Sequence, residues 1–313
     1  SMNQIPHIMT NDKLVLIGVT GLKSGGVLID HIASNLDKVK TLFPGGIVVI
    51  CRETSKTEKV EKLLPDVTIK RGEITDESFL SDSLSGCDTL IHVAGIHWSR
   101  EIVNAAAYNN IRRLILVHTT GIYSKYKAAG EEYRHIDDYV EKQCKENNII
   151  LTILRPTMIY GNIHDMNVVK FISLVDKFPI MPIVRSARFE LQPVHYKDLG
   201  KAYYDVLMNE KTCGHNYNLS GGEIIQLRDM LTVIGENLGK KVIFISCPFW
   251  IAYGGAWGLY CASFGRIDYR EKVQRLCEPR VYDHDDATRD FGYNPRMFRI
   301  GIVDEVKEYL QNK

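Results

Sequence analysis

A short apolar run near the amino terminus leads directly into a glycine-rich turn. The run covers 14–18, and Gly18, Gly21, Gly25 and Gly26 follow before a helical pattern begins. A strand, a glycine turn and a helix in this order present backbone N–H groups to a diphosphate at the helix N-terminus. Ser24 replaces the third glycine of the usual pattern, and the neighbouring Gly25 and Gly26 can supply the close approach of helix and strand. The turn predicts a dinucleotide site with contacts from Gly18, Thr20, Gly21, Ser24 and Gly25.

The first half of the chain alternates short aliphatic runs with helical patterns, which is typical of βαβ units and a parallel sheet. The predicted strands are 14–18, 47–51, 67–70, 89–93, 114–118 and 150–154, and the predicted helices are 26–36, 54–64, 76–84, 99–108 and 130–147. After Pro156 the elements become shorter and richer in proline and glycine. We therefore expect an α/β fold in which residues 1–156 form a Rossmann doubly wound parallel sheet. Residues 157–313 should form a smaller, interleaved substrate lobe, with segments near 192–220 able to return to the sheet.

The second predicted strand ends at Cys51 and Arg52. In a doubly wound dinucleotide fold, the residue at this tip contacts the adenosine ribose. A guanidinium there can pair with a 2′-phosphate, whereas an acidic residue would accept the ribose hydroxyls. Arg52 therefore predicts NADP(H) as the cofactor, and the neighbouring Glu53 leaves NAD(H) open.

Charge and cysteine usage limit the classes of partner. The chain has 39 Lys and Arg against 38 Asp and Glu, which argues against a nucleic-acid partner. Its seven cysteines are scattered and form no Cys-x-x-Cys pair, which predicts no metal site and a reduced, cytoplasmic location. Residues 1–13 lack a basic start followed by an apolar segment, so we expect no signal peptide.

An uncharged, aromatic stretch covers 242–265 and includes Trp250, Trp257 and Phe264. Its length alone would permit a membrane span, but Pro248 and four glycines argue against one. Three interpretations stay open: a buried or half-buried helix of the substrate lobe, a contact with a membrane surface through 247–264, or a span. We expect a strand and a helix packed in the folded lobe, with at most a surface contact to membrane.

Further motifs follow the predicted strands in order. They are Gly72-Glu73-Ile74-Thr75, His92-Val93-Ala94-Gly95, Leu154-Arg155-Pro156 with Tyr160-Gly161, and two later segments at 192–199 and 286–295. Together with the glycine turn, they resemble the extended short-chain dehydrogenase/reductase family of nucleotide-sugar epimerases, dehydratases and ketoreductases. The resemblance covers nearly the whole chain. It implies that Glu73 and Ile74 lie near the adenine, that Ala94 and Gly95 lie under the cofactor, and that Pro156 lies near the nicotinamide.

The catalytic motifs of that family are matched in part. The segment His118-Thr119-Thr120-Gly121-Ile122-Tyr123 is similar to the motif with a catalytic Ser or Thr, which implies Thr119. The family's Tyr-x-x-x-Lys pair falls on Tyr133 and Asp137, so aspartate replaces the lysine. In the family the ammonium lowers the tyrosine pKa, whereas a carboxylate on the same helical face would raise it. The resemblance thus implies Thr119 and Tyr133 as catalytic residues without the adjacent ammonium.

Other residues offer alternatives at this site. Lys125, Lys127, Arg134 or His135 could supply the missing positive charge, and His118 fits a core histidine better than a catalytic base. A second Tyr-x-x-x-Lys match at 123–127 begins at the strand end, and we interpret it as coincidence. The short connection between the fourth and fifth strands is similar to the atypical branch of the family, in which some members only bind the cofactor.

Two functions follow from these observations. The first is an NADP(H)-dependent oxidoreductase or epimerase that acts on a nucleotide sugar or another small carbonyl or hydroxyl substrate. The second is a non-catalytic NADP(H)-binding sensor or assembly protein that has lost the Tyr-Lys pair. The aspartate at 137 motivates the second hypothesis.

Overall fold

The computed structural model describes residues 12–178 and 180–313 of the chain. Its strands are β1 (Lys13–Ile17), β2 (Gly46–Cys51), β3 (Thr68–Arg71), β4 (Thr89–His92), β5 (Arg113–Val117), β6 (Ile150–Pro156), β7 (Ile159–Tyr160), β8 (Ile180–Val184), β9 (Glu190–Leu191), β10 (Val194–His195), β11 (Tyr217–Leu219), β12 (Ile225–Gln226) and β13 (Ile243–Cys247). Its α-helices are α1 (Ser24–Ser34), α2 (Leu36–Leu42), α3 (Glu58–Leu63), α4 (Glu77–Ser83), α5 (Ser99–Tyr108), α6 (Lys127–Glu146), α7 (Val168–Lys177), α8 (Tyr196–Leu207), α9 (Leu227–Leu238), α10 (Phe249–Ala262), α11 (Arg270–Leu276), α12 (Asp285–Phe291) and α13 (Phe298–Gln311).

Seven strands form a parallel sheet in the order β11-β6-β5-β4-β1-β2-β3. The strand order reverses at β1. On one side of β1 lie β2 and β3, and on the other side lie β4, β5, β6 and β11. In doubly wound sheets, ligands bind at the carboxyl ends of the strands at such a reversal. All six predicted strands lie in this sheet, and the expected Rossmann fold class is confirmed.

The central strands are apolar on both faces because helices cover both faces of the sheet. In β1, Leu14 and Leu16 join the core beneath α1 and α8, while Val15 and Ile17 join the core beneath α4, α5 and α6. Successive side chains of a strand point to opposite faces, so one continuous aliphatic run serves two cores. This arrangement holds the glycine turn after β1 at the edge of the sheet between two layers of helices.

The carboxyl-terminal half contributes to the main sheet and also forms a core of its own. β11 pairs with β6, with Tyr217 opposite Leu154 and Leu219 opposite Pro156. A separate core lies between α7, α9 and α13. The segment near 192–198 does not return to the main sheet, because β10 pairs with β7 in a small two-stranded sheet and α8 starts at once at Tyr196.

A buried arginine joins the two halves of the chain. Arg113, the first residue of β5, donates to the carbonyl oxygens of Leu207 at 2.7 Å and Val206 at 2.8 Å. These are carbonyls at the carboxyl end of α8, where a helix has unpaired acceptors and a partial negative charge. The contact fixes α8 against the sheet, and α8 in turn packs on α1 behind the glycine turn.

The uncharged stretch forms β13 and α10, as the sequence predicts; β13 pairs with β8, and one face of α10 is half-buried while the rest of the helix is exposed. Within α10 only Ala256 is buried, and Trp250 is 73% exposed. Among residues 12–178 and 180–313, no helix is long and apolar enough to cross a membrane. The amino-terminal stretch in which we expect no signal peptide lies, up to residue 11, outside the described residues.

Candidate functional site

A cleft of about 810 Å³ opens at the carboxyl ends of the parallel strands, on both sides of the reversal at β1. The loops after β1, β2, β3, β4 and β6 all contribute to its walls. Every residue that the sequence predicts as a cofactor contact lines this cleft, namely Gly18, Thr20, Gly21, Ser24, Gly25, Arg52, Glu73, Ile74, Ala94, Gly95 and Pro156. The fold therefore gathers into one wall residues that lie up to 138 positions apart in the sequence.

The glycine turn is packed too closely for side chains. A Cβ at Gly18, where φ is +87°, would lie 2.7 Å from the Ala94 nitrogen, and a Cβ at Gly25 would lie 2.0 Å from the Gly18 oxygen. Gly25 thus supplies the close approach of α1 to the strand, while the Ser24 hydroxyl lies 3.3 Å from the Tyr203 hydroxyl on α8. The N-cap residue of α1, Lys23, makes no side-chain hydrogen bond to the first turn. This end of the helix fits the diphosphate of a dinucleotide.

Arg52 is exposed at the end of β2 and lines the cleft. Its loop is held by Arg71, whose guanidinium donates to the Ser55 carbonyl at 2.9 Å and the Thr57 hydroxyl at 2.8 Å. Arg71 also contacts the carbonyls of Arg52 and Glu53. Sequence reasoning missed Arg71, and the available signal was a basic residue at the end of β3, in register with the end of β2. Arg71 therefore positions the loop that presents Arg52.

A second cavity of about 340 Å³ adjoins the cleft, because His118, Pro156 and Ile159 line both. Thr119 lies in its wall and accepts a hydrogen bond from the Gly121 N–H at 3.0 Å. The sequence predicts Thr119 as a site residue, and the structure places it beside the dinucleotide cleft. The cavity is about the size of a small organic molecule.

The carboxyl-terminal half closes the second cavity with charged residues. Arg275, Glu278 and Arg280 line it, and the Glu278 carboxylate accepts a hydrogen bond from the Ser124 hydroxyl at 3.0 Å. Burial, followed by the charge of Arg275, lowers the pKa of Arg280. Two neighbouring guanidiniums favour an anionic ligand such as a phosphate. Sequence reasoning missed both arginines, since they lie in a segment with no motif.

Tyr133, on α6, lies close to Gly121, as Thr119 does. A Cβ at Gly121 would lie 2.9 Å from the Tyr133 ring and 3.2 Å from the Thr119 hydroxyl oxygen. The Tyr133 ring is half-buried, and its centroid lies 6.1 Å from that of His97. The structure thus brings the two predicted catalytic residues together around one glycine, although Tyr133 is not among the residues that line either cavity.

Comparisons with known proteins agree with this geometry. Residues 44–171 match the family model described as NAD(P)H-binding. The match supports an NAD(P)H-binding domain in this part of the chain. The chain is 20% identical over 316 residues to the N-acetyl-alpha-D-glucosaminyl-diphospho-ditrans,octacis-undecaprenol 4-epimerase of Escherichia coli O157:H7, covering 87% of this chain and 88% of the relative.

Solved structures share the fold of this chain. A dTDP-glucose 4,6-dehydratase from Streptomyces venezuelae, with NAD bound, has a TM-score of 0.69 at 16% identity and covers 96% of this chain and 97% of that one. A triphenylmethane reductase from Citrobacter sp., complexed with NADP(H), has a TM-score of 0.68 at 18% identity and covers 94% of this chain and 99% of that one. The resemblance seen in the sequence is confirmed, and the similar structures include both nucleotides.

The carboxylate of Asp137 is turned into the interior. It contacts His118 Nδ1 at 2.6 Å and the Arg155 guanidinium, and the other ring nitrogen of His118 lies 2.9 Å from the Ser99 hydroxyl. Burial acts to raise the pKa of Asp137, but the hydrogen bonds and charges of His118 and Arg155 outweigh it and lower the pKa. His118 has both ring nitrogens in contact, as in the core interpretation. The residue at the family's lysine position thus belongs to a buried network.

The four basic residues considered as substitutes for that lysine have different surroundings. Arg134 donates to the carbonyls of Ile122 at 3.1 Å and Ser124 at 3.2 Å, so it holds the loop that follows Thr119. The His135 side chain is 66% exposed. Lys125 is exposed and lies over the Tyr126 ring. The side chain of Lys127 lies outside the described residues. Of the three that are described, Arg134 alone has contacts in the loop of the candidate site.

A buried carboxyl supports one wall of the cleft. Glu305, on α13, is inaccessible to solvent and accepts a hydrogen bond from the Gly161 N–H at 2.7 Å. Burial and the nearby carboxyl of Asp165, which lines the cleft, raise the pKa of Glu305 well above its usual range. Glu305 is therefore protonated at neutral pH. Sequence reasoning missed it, because an acidic residue in an amphipathic helix ordinarily faces solvent.

Proposed function

We propose that this protein is an NADP(H)-dependent oxidoreductase or epimerase that acts on a nucleotide sugar or a similar phosphate-bearing carbonyl or hydroxyl substrate. The observation that carries the proposal is the continuity of two spaces. The dinucleotide cleft and the Thr119 cavity share His118, Pro156 and Ile159 in their walls. A bound nicotinamide would exchange a hydride with a substrate carbon, and the protein orients the substrate and stabilises charge on its oxygen.

The preference for NADP(H) rests on the end of β2. Arg52 is exposed in the cleft wall, and Arg71 holds its loop through four backbone and side-chain contacts. Since the Arg71 guanidinium is occupied by this loop, Arg52 is the group that would pair with a 2′-phosphate. A charge-assisted contact of this kind contributes about 1.5–3 kcal/mol.

Thr119 and Tyr133 are the groups proposed to act on the substrate oxygen. The Thr119 oxygen accepts the Gly121 N–H, which leaves the Thr119 hydroxyl proton to be donated towards the cavity. Tyr133 also lies close to Gly121 and has Asp137 in place of the family's lysine. We therefore assign Thr119 the main role in hydrogen bonding to the substrate oxygen, and Tyr133 a supporting one.

Arg275 and Arg280 are proposed to hold the phosphate of the substrate. Both line the Thr119 cavity, and the one acidic residue among its lining residues, Glu278, is paired with Ser124. The Escherichia coli relative is named for a diphosphate-linked sugar, and the Streptomyces venezuelae dehydratase for a nucleotide sugar. These names support a phosphate-bearing sugar over a neutral ketone.

The test is a single-turnover measurement with the full chain loaded with NADPH or NADP⁺. The substrates are a panel of nucleotide sugars and a panel of neutral ketones and quinones, with cofactor absorbance and sugar products measured together. We expect turnover or epimerisation with a nucleotide sugar, and a large loss in Thr119→Val. Thr232→Val, on the exposed face of α9, is the matched control. Turnover confined to neutral ketones would overturn the substrate class.

A second candidate, a non-catalytic NADP(H)-binding sensor or assembly protein, is favoured by one observation. The residue at the family's lysine position is engaged in a buried network with His118 and Arg155. If the whole panel leaves bound NADPH unchanged while NADPH still binds tightly, the second candidate replaces the first.

A further inference from the structure

The helix α10 combines two properties that rarely occur together. It contains no charged residue along its 14 residues, yet only Ala256 is buried. A helix that is apolar on all sides is ordinarily enclosed by protein or by lipid. In this protein Trp250 is 73% exposed, and Phe264, just beyond the helix, is 94% exposed. One face of the helix, formed by Phe249, Tyr253, Ala256 and Tyr260, is buried or half-buried, while the face with Trp250 and Trp257 is exposed.

The exposed apolar surface continues beyond α10. β13 pairs with β8, and their side chains Ile180, Ile243 and Ile245 are each more than half exposed. We call this surface, formed by Ile180, Ile243, Ile245, Trp250, Trp257 and Phe264, the apolar patch. It is made by two elements that lie far apart in the sequence, so it is a surface of the folded protein rather than a loose tail.

Basic residues border the apolar patch. Apart from Lys240, which pairs with Asp176, and the cavity residues Arg275, Glu278 and Arg280, positions 240–280 contain four Lys and Arg against two Asp and Glu, a net charge of +2. Lys241, Arg266 and Lys272 in this region are exposed. An apolar surface with a basic border complements a bilayer that carries anionic headgroups.

We propose that the apolar patch docks this protein on the surface of an anionic lipid bilayer. At about 1.5 Å per residue, α10 is roughly 21 Å long, which is too short to span the hydrocarbon core. It therefore lies in the interface, where tryptophan and tyrosine side chains are favoured. A second copy of the chain would bring the same basic border against the apolar patch, whereas an anionic bilayer complements that border.

Docking would place the candidate site close to the bilayer. The segment that follows α10 forms α11 and supplies Arg275 and Arg280 to the Thr119 cavity. The patch and the cavity wall thus belong to one continuous part of the chain. The docking proposal itself does not depend on the proposed function.

The test is flotation of the full-length protein with vesicles of phosphatidylcholine alone or with phosphatidylglycerol added. We expect the wild type to float with the anionic vesicles, more weakly at high salt, and little with phosphatidylcholine alone. The variant Trp250→Glu, Phe264→Glu should lose about tenfold or more of this binding, because each change places a charge in the interface. Tyr108→Glu, Ile300→Glu is the matched control, since both residues are exposed apolar positions outside the patch (79% and 67% exposed).

Two outcomes would overturn the proposal. One is a wild type that stays with the soluble fraction at every vesicle composition. The other is equal flotation of the patch variant and the wild type. Sedimentation analysis of the same samples identifies the competing occupant: a wild-type dimer that becomes monomeric in the patch variant, without vesicle binding, would assign the patch to a second copy. NADPH binding by every variant checks that each protein is folded.

Discussion

The carboxylate of Asp137 lies 2.6 Å from the ring of His118, and its other oxygen contacts the guanidinium of Arg155. Asp137 is 3% exposed and Arg155 is 8% exposed. The charge at this position therefore balances a buried arginine in the interior of the protein. The residue four positions after Tyr133 is therefore a carboxylate engaged in the interior, whereas in a Tyr-x-x-x-Lys enzyme it is a lysine beside the tyrosine.

Replacing Asp137 by Asn should destabilise the protein by about 3–5 kcal/mol, because Arg155 would be left buried without an anion. Asp137→Lys should be at least as destabilising, although the resemblance alone suggests that it would restore a catalytic pair. Urea denaturation measures both changes, with the exposed neighbour Asp138→Asn as control. A stable and more active Asp137→Lys protein would contradict the structural interpretation.

The same contact predicts a pH dependence. Since the pKa of Asp137 is lowered in the folded protein, its contribution to stability is present above the ordinary pKa of an aspartate and is lost as the pH falls through the lowered value. The difference in stability between the wild type and Asp137→Asn should therefore shrink in acid. Denaturation curves from neutral pH to about pH 3 measure it.

Arg52→Ala should weaken NADPH binding by roughly ten- to a hundredfold and leave NADH binding nearly unchanged. The reason is the loss of the contact with the 2′-phosphate, which NADH lacks. Fluorescence titrations with both nucleotides measure the affinities. Lys56→Ala, in the same loop but not in the cleft wall, should have little effect. Equal affinities of the wild type for the two nucleotides would show that Arg52 does not set the preference.

Tyr133→Phe should slow single-turnover hydride transfer by less than the ~10²–10⁴-fold that is typical of a true general acid, whereas Thr119→Val should have the larger effect. Thr119→Val is expected to have the larger effect because Thr119 lies in the cavity wall and because Tyr133 has a carboxylate, Asp137, in place of the lysine. A complete loss of activity in Tyr133→Phe alone would mean that the tyrosine keeps its usual role without a lysine.

Arg280→Met should raise KM for a phosphate-bearing substrate by about tenfold or more, with a smaller change in kcat, because the contact is made equally in the ground state and the transition state. Steady-state kinetics with the substrate identified in the panel measure the two parameters. Arg289→Met, at an exposed position on α12, serves as the comparison. A change in kcat with constant KM would point instead to a role in the chemical step.

Glu305→Gln should stabilise the protein at alkaline pH. Because the pKa of Glu305 is raised in the folded state, the wild type loses stability as the pH rises from about 4.5 towards that raised value. Glutamine keeps the acceptor for the Gly161 N–H and cannot ionise. Melting temperatures at pH 6 and pH 9 measure the difference, with about 2–4 °C expected per kcal/mol. Asp304→Asn, which removes a different carboxyl of α13, should keep the wild-type slope.

The sheet and the cleft could be predicted because local signals specify them. Strands that are buried on both faces are recognised as continuous aliphatic runs. The turn after β1 requires glycine at positions 18 and 25, because a Cβ at either position would collide with neighbouring backbone atoms. Residues at the ends of parallel strands meet at one edge, so Arg52 could be placed at the cleft from its position after β2. Pro156 and Thr119 were expected at the site from the family resemblance.

Other features could not be predicted because they depend on contacts between distant segments. Nothing near Asp137 in the sequence indicates that its partner is Arg155, and nothing near Arg280 indicates a cavity beside Thr119. The stretch 242–265 has a strong local signal, but that signal does not specify what surrounds the segment. Its hydropathy predicts burial, yet much of α10 is exposed in the structure, because hydropathy alone does not distinguish the protein core from another apolar surrounding.

The pairing of β11 with β6 has a consequence for how the protein is made. The edge of β6 has no partner strand until residue 219 has left the ribosome, so the half of the chain that contains the dinucleotide cleft cannot finish its sheet alone. An unpaired apolar strand edge is a site for aggregation. A fragment that ends after Pro156 should therefore be insoluble, and joining residues 1–156 to a foreign partner would require that Tyr217–Leu219 be supplied as well.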